Sequence, residues 1–381
     1  MVVSIGSFLA GAYVYVIYHY IKGWRRLPEW EPPKEFTPQT KVTVVIPARN
    51  EAGNILACLQ GITAQNYPLS LYEILVVDDH STDDTTKLVE AFCSQAPDLT
   101  LLRLSDHLPG EKVYSFKKKA IDLAISKAKG SLIVTTDADC VVPPNWLKLL
   151  VSFFEEKKLQ FIAAPVNFHQ ERSLFERFQS LDFIGMMGLT GAGIELGWMN
   201  MCNGANLAYA KSAFQAIDGF SDIDQLASGD DILLMQKMAH HFPGQIGFLK
   251  SPEACVLTQA KPDLSSFLAQ RLRWATKSSK YQERTMILIL ALVLFLCLGI
   301  IGSALLTLFG GWPWLLLSLS LLLVKSIADF FFLKEMSAYF GRTDLMKSFW
   351  SAQLLHLLYI AFVGTVSNFK KRYVWKGRSL R

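Results

Sequence analysis

No two cysteines in this chain stand two residues apart, and the six present (Cys58, Cys93, Cys140, Cys202, Cys255, Cys297) follow no regular spacing. That argues against a zinc site and a disulfide framework, and it suits a reducing compartment. Internal repeats and low-complexity tracts are absent too, which argues against a solenoid or a disordered tether. Charge is scarce: 19% of residues are charged and the net charge is only +5. The basic residues cluster beside apolar segments, which favours anionic lipid over nucleic acid as a partner. The apolar amino-terminal run lacks a basic region before it and a small-residue cleavage site, so it reads as an anchor and not as a signal peptide.

What the chain has in abundance is apolar sequence, 51% of residues, concentrated at its two ends. Val2 to Ile21 is long enough to cross a bilayer. Lys22, Arg25 and Arg26 follow at once, so the positive-inside rule places the next stretch in the cytoplasm. Pro28 to Thr40 holds four prolines and reads as a linker. Towards the other end, Met286 to Phe309 and Trp314 to Leu333 read as spans, separated by a Gly310-Gly311-Trp312-Pro313 turn. Phe349 to Ser367 is a third segment. If all three cross, the tail Lys370 to Arg381, with six basic residues and no acid, ends outside, against the charge rule. An interfacial or re-entrant last segment, weakened as a span by Gln353 and His356, keeps the tail inside. The reading carried forward is three full crossings in the whole chain. Lys325 and Asp329, four apart inside the second of these spans, are either a neutralising packing pair or a functional one.

Between the ends, strand and helix patterns alternate. Lys41 to Pro47 is a β-branched run ending at proline, a strand. Ala48-Arg49-Asn50-Glu51 and a helical pattern through Ile55, Leu59 and Ile62 follow. Glu73 to Val77 is a second buried strand and ends in Asp78-Asp79-His80-Ser81-Thr82-Asp83, with Thr82 or Asp83 as cap of the next helix. Thr100 to Leu104 is a third. A helix over Lys117 to Lys129 leads to a fourth, Leu132-Ile133-Val134, which runs into Thr135-Thr136-Asp137-Ala138-Asp139-Cys140. Such alternation implies an α/β fold with a mainly parallel sheet, whose ligands bind beyond the strands' carboxyl ends. Asp137 and Asp139 share one side of an extended chain. Two hard oxygen donors there suit Mg²⁺ or Mn²⁺ shared with substrate phosphates; taken alone, the pattern equally fits turn or cap carboxylates.

Phe161 to Pro165 is a further short strand. Ser173 to Asn200, rich in aromatics, is either a core helix with a loop or an interfacial helix facing lipid or an apolar acceptor. Asn203-Gly204-Ala205-Asn206 is a turn able to offer backbone donors to phosphate. Ser228-Gly229-Asp230-Asp231 opens a helix over Ile232 to His240, where a carboxylate also simply favours the dipole. Gln270-Arg271-Leu272-Arg273-Trp274 follows a helical lead-in and, alone, reads as a basic stripe.

Taken together, Val45-Ile46-Pro47-Ala48-Arg49-Asn50-Glu51, Val76-Val77-Asp78-Asp79, Thr136-Asp137-Ala138-Asp139, Gly229-Asp230-Asp231 and Gln270-x-x-Arg273-Trp274 resemble the ordered motifs of family 2 glycosyltransferases. The resemblance covers residues 41–274. It implies a GT-A catalytic fold with transmembrane helices at both ends: an anchor over 1–27, a linker over 28–40, a cytosolic catalytic domain with interfacial helices over 41–284, membrane segments over 285–369 and a basic tail over 370–381. It also implies an inverting enzyme integral to the cytoplasmic membrane, with a UDP-sugar donor. Pro47, Arg49 and Glu51 would line the nucleotide pocket, and Asp79 or Asp78 would hold the base. Asp137 would contact ribose or metal water, and Asp139 would ligate Mg²⁺ or Mn²⁺. Asp231 would be the general base, with Asp230 raising its pKa by like-charge repulsion. Gln270, Arg273 and Trp274 would close the site, the indole also meeting the acceptor, as would Asn203 and Gly204. The Gln-x-x-Arg-Trp signature marks enzymes with lipid acceptors and processive polysaccharide synthases; the nearly apolar spans make a poor pore, so a lipid acceptor is favoured. The intact aspartates argue against an inactive sugar-nucleotide-binding scaffold. Two departures stand out. Asp230 takes the place of the family's Glu or Gln, and Phe116-Lys117 replaces Gly-Lys, which weakens the assignment of Lys117 to the donor. Trp375-Lys376-Gly377-Arg378 resembles the tails of bacterial members with lipid acceptors.

Overall fold

The structure is a computed structural model and describes residues 2–107, 115–199, 201–226, 229–276, 283–369, 373–375 and 378–380. Ser228, Asn200, Lys376, Gly377 and residues 370–372 and 381 of the tail lie outside these. In chain order the elements are α1 (Val2–Arg26), β1 (Val42–Ala48), α2 (Ile55–Thr63), β2 (Tyr72–Asp78), α3 (Thr85–Cys93), β3 (Leu99–Arg103), α4 (Phe116–Lys127), β4 (Leu132–Thr135), α5 (Trp146–Lys157), β5 (Phe161–Ala163), β6 (Val166–His169) and α6 (Leu174–Glu195). There follow β7 (Leu207–Ala210), α7 (Lys211–Ala216), α8 (Ile232–His241), β8 (Ile246–Phe248), β9 (Val256–Gln259), α9 (Leu264–Ala275), α10 (Arg284–Gly310), α11 (Trp312–Tyr339), α12 (Phe349–Val366), β10 (Tyr373–Trp375) and β11 (Arg378–Leu380).

Two compact units result. One gathers Met1–Leu27, Gln170–Asn200 and Ala260–Tyr373; the other gathers Pro28–His169, Met201–Gln259 and Val374–Arg381. This division cuts across the expected linear one. Gln170–Asn200 and the Gln-x-x-Arg-Trp helix group with the apolar ends, and the end of the tail groups with the sheet.

The sheet unit is built on Val-Thr-Val-Val-Ile-Pro-Ala and Tyr-Glu-Ile-Leu-Val-Val-Asp, β1 and β2, whose residues are buried almost throughout. Strands buried on both faces read as continuous apolar runs, which is why they were legible. The seven-stranded sheet has the order β3-β2-β1-β4-β7-β5-β8. β1 pairs in parallel with β2 and β4, β2 in parallel with β3, and β5 in parallel with β8, whereas β7 is antiparallel to both β4 and β5. Pro47 is tolerated in a central strand because the β1–β4 ladder ends at Val45–Thr135, so no ladder bond is lost there. The expected helix cap is corrected: α3 starts at Thr85 with Asp84 as cap residue, and Asp83 receives the Thr85 N–H at 3.1 Å. The expected linker is strapped down. Trp30 donates to Lys250 O at 2.8 Å and to Ser152 Oγ at 3.0 Å, and Glu155 Oε1 accepts the Thr40 N–H at 2.9 Å.

The helical unit has α6 at its centre, packed with α1, α11 and α12. Phe178, Leu181, Phe183, Ile184 and Met187 are all buried. Of the two alternatives, the structure gives α6 as a core helix of this unit. Arg284–Gly310, Trp312–Tyr339 and Thr343–Val366 are long and apolar enough to cross a membrane. α11 continues past Leu333, so Lys325 and Asp329 sit well inside a helix. Asp329 accepts from Lys325 Nζ at 2.5 Å and from the Tyr13 hydroxyl of α1, while Lys325 also reaches Gln353 Oε1 at 3.3 Å. The pair is buried, and it joins three helices.

Candidate functional site

The sheet unit gathers most of the expected residues at one edge. β1, β2 and β4 all end there. Because β7 runs antiparallel to β4, with Leu207 opposite Thr135, the turn before β7 arrives at the same place. The Thr135 hydroxyl donates to Gly204 O at 3.2 Å and fixes that turn. Beyond β4, the Cys140 N–H closes on Asp137 O at 3.1 Å, so Asp137 to Cys140 form a tight turn. Gly229 has φ of 90°, in the left-handed region that favours glycine, and it feeds the chain into Asp230, Asp231 and α8. Asp231 caps α8, its Oδ1 accepting the Ile232 N–H at 2.7 Å.

Lys117 ties these pieces together. Its Nζ lies 2.7 Å from Asp137 Oδ1 and 2.9 Å from Asp230 Oδ2. Burial opposes its charge, but the two carboxylates outweigh burial and hold the ammonium well above its ordinary range. A methyl on Gly204 would stand 3.2 Å from Asp230 Oδ2 and 3.4 Å from Lys117 Nζ, so the bare backbone lets the turn close on the cluster. Asp230 thus faces this cation directly. Burial and the Asp230 charge push the Tyr209 phenol of β7 upward.

A second cluster lies at the same edge. Arg49 Nη1 donates to Asp79 O at 2.7 Å and His80 O at 2.9 Å, bracing the loop after β2. Glu51 accepts from Asn54 Nδ2 at 2.8 Å, and its N–H donates to Thr85 Oγ1 at 2.7 Å. Asp78 receives the Ser81 N–H at 3.3 Å, a turn contact. Asp79, 3% exposed, instead faces Arg378, whose Nη1 donates to Oδ1 at 2.9 Å and to Oδ2 at 2.7 Å. Burial first, and the Arg378 charge second, push the Arg49 pKa down.

Asp137 and Asp139 fit a divalent ion of the Mg²⁺ or Mn²⁺ kind as far as the chain goes. Among the described residues no group of three or more His, Cys, Asp and Glu side chains is placed to hold a metal. Two carboxylates at a sheet edge match ions that take their remaining ligands from phosphates and water. The thiols of Cys58 and Cys140 approach the same turn, at 3.7 Å from Asp137 O and Asp139 Oδ1.

Gln270, Arg273 and Trp274 lie on α9 in the helical unit. Sequence reasoning passed over the residue between them. Arg271, 3% exposed, donates to Asp182 Oδ2 of α6 at 2.8 Å and lies 4.4 Å from the Trp274 ring centre. Asp182 also accepts from the Tyr359 hydroxyl of α12 at 2.9 Å. The available signal was a lone acid amid the apolar stretch of α6. Arg378 was noted only as part of the Trp375-Lys376-Gly377-Arg378 resemblance, and no local pattern marks its partner.

Residues 43–217 match Glycosyl transferase family 2, and residues 132–367 match Glycosyl transferase family group 2. The chain belongs to glycosyltransferase family 2. This family member is 25% identical over 256 residues to beta-monoglucosyldiacylglycerol synthase of Synechocystis sp., a match covering 65% of this chain and 51% of that protein. It is 27% identical over 186 residues to hyaluronan synthase of Streptococcus pyogenes, covering 48% of this chain and 43% of that protein. The chain spans about half the length of the curated relatives it matches. Among solved structures, a mannosyltransferase from Pyrobaculum calidifontis in complex with GDP-Man and Mn²⁺ has the same fold, with a TM-score of 0.61 at 21% identity, over 94% of this glycosyltransferase and 99% of that chain.

Proposed function

We propose that this glycosyltransferase moves a sugar from a UDP-linked donor to a hydroxyl of a membrane lipid, inverting the anomeric centre. The observation that carries the reading is the Lys117 bridge between Asp137 and Asp230, with Gly204 and Asp231 beside it. It joins the turn that would hold the donor diphosphate to the turn that would hold the base. Asp79 binds the nucleotide base, and Arg49 fixes the loop that presents it. Asp137 and Asp139 hold a divalent ion, which when bound offsets charge on the departing diphosphate. Asp231 accepts the proton of the acceptor hydroxyl as its oxygen attacks the anomeric carbon. The bond from that carbon to the diphosphate oxygen breaks, and UDP leaves. Asn203 and Gly204 position the acceptor, and Gln270, Arg273 and Trp274 are the residues that the resemblance assigns to donor binding. α1 and the apolar helices anchor the chain in the cytoplasmic membrane with the sheet unit on the cytoplasmic side.

A lipid acceptor is supported by the apolar helical unit, whose described buried charges are paired, and by the relative named for a glucosylated diacylglycerol. Hyaluronan synthase supports a polymer product instead. Membranes carrying the chain, incubated with radiolabelled UDP-sugars and GDP-mannose, decide between them. One or two sugars on an organic-soluble product is the expected result, and a long water-soluble polymer refutes it. Asp231→Asn should lower kcat by roughly 10²–10⁴-fold, the contribution of a general base, while UDP still binds. Lost UDP affinity with surviving turnover refutes the base.

A further inference from the structure

We infer that Arg378, at the carboxyl-terminal end of the chain, is a donor-binding residue that reads the base together with Asp79; this rests on the donor reading above. The two residues are 299 positions apart, and the ion pair is bidentate on the carboxylate. The Arg378 guanidinium carbon lies 3.6 Å from the centre of the Phe116 ring. Phe116 opens α4 and is followed by Lys117, the residue that joins Asp137 to Asp230. It is also the residue that departs from the family's glycine, and only a ring there gives a guanidinium a face to stack on. His80 closes the other side, its Nδ1 3.0 Å from Asp79 Oδ1 and its ring centre 5.7 Å from that of Phe116. Arg378 therefore touches both the base-binding carboxylate and the ring that precedes Lys117 in the chain.

The pairing has chemical content. A carboxylate accepts and a guanidinium only donates. Side by side they match an edge that offers one ring N–H flanked by a carbonyl. Uracil presents that edge through its ring N–H and either neighbouring carbonyl. Two more observations mark the region as built for a polar ligand. The hydroxyls of Ser115, next to Phe116, and of Thr136, next to Asp137, are buried without a hydrogen-bond partner among the described residues. Buried hydroxyls are normally satisfied, and a bound molecule is one way to satisfy them.

The test is calorimetric binding of UDP, GDP and CDP to the full chain in detergent, for the wild type, Arg378→Ala, Arg378→Lys and Asp79→Asn. Arg378→Ala should weaken UDP binding at least about tenfold, with GDP and CDP run beside it to show how far the effect depends on the base. Arg378→Lys keeps the charge, guards against misfolding and should recover only part of the affinity. Unchanged UDP affinity in Arg378→Ala overturns the inference. Tighter UDP binding also overturns it, because Arg378 would then be a plug that competes with the base. Asp79→Asn separates the two levels of argument. If it leaves UDP affinity intact, the donor reading of this edge fails; if it weakens UDP while Arg378→Ala does not, only the role of Arg378 falls.

Discussion

Replacing Lys117 by methionine removes one cation from between two carboxylates and keeps the apolar stem. Its side chain is 24% exposed, as is 34% of Asp137 and 10% of Asp230, so each charge-assisted bond belongs at the low end of its range. At about 1.5 kcal/mol apiece, the two amount to about 3 kcal/mol. For a unit of roughly 200 residues, that is a fall in Tm of about 6–12 °C. The raised Lys117 pKa sets the pH window. The contribution is fully present below the unfolded value of 10.5 and is lost only as pH rises through the higher folded value, so the gap should be constant across neutral pH. Divalent ion gives the second reading. If Asp137 and Asp139 hold it, the ion supplies the missing counter-charge and binds more tightly to the variant, adding about 2.7 kcal/mol at a concentration near 100 times its Kd. The assay is thermal unfolding in detergent with and without Mn²⁺. A variant within about 2 °C of wild type, or equal Mn²⁺ stabilisation of both proteins, refutes the account.

Three further outcomes are expected. Asp139→Ala should abolish the metal dependence of UDP binding measured by calorimetry with and without chelator; persistence of that dependence counts against metal ligation. Asp182→Asn strips the buried Arg271 of its counter-charge and should cost about 3–5 kcal/mol in thermal unfolding, and a change below about 0.5 kcal/mol would show the pair to be idle. Cys58 and Cys140 are buried, and burial followed by the nearby Asp139 carboxylate pushes both thiols up. Neither should react with iodoacetamide at neutral pH in the native protein while partly exposed Cys93 does; rapid labelling of Cys58 would contradict the packing.

The parallel half of the sheet was legible because β1, β2 and β4 carry their burial in runs rich in β-branched residues, and because Arg49, Asp78 and Asp137 stand at or within two residues of their ends. Asp137, Asp139, Asp230 and Gly204 were legible as separate motifs. What brings them together was not. The antiparallel direction of β7 decides that Gly204 meets Lys117, and four residues of β-strand carry no mark of direction. α6 was ambiguous for a related reason: an apolar helix that faces other helices has the same composition as one that faces lipid. Arg378 and Asp79 could not be paired at all, since contacts across the whole chain leave no periodicity to read.

The same ion pair has a counting consequence. The chain leaves the sheet unit after Gln259 and rejoins it at Val374. A thread that starts and finishes on one face of a bilayer must pierce it an even number of times, yet three helices in that interval are long enough to do so. If that face holds the sheet unit and α10 and α11 form the hairpin that goes out and back, α12 would be left to lie along the near leaflet or dip in and return. For a sheet unit held on one side of a membrane, the Arg378–Asp79 pair would thus fix the parity of the crossings between Gln259 and Val374.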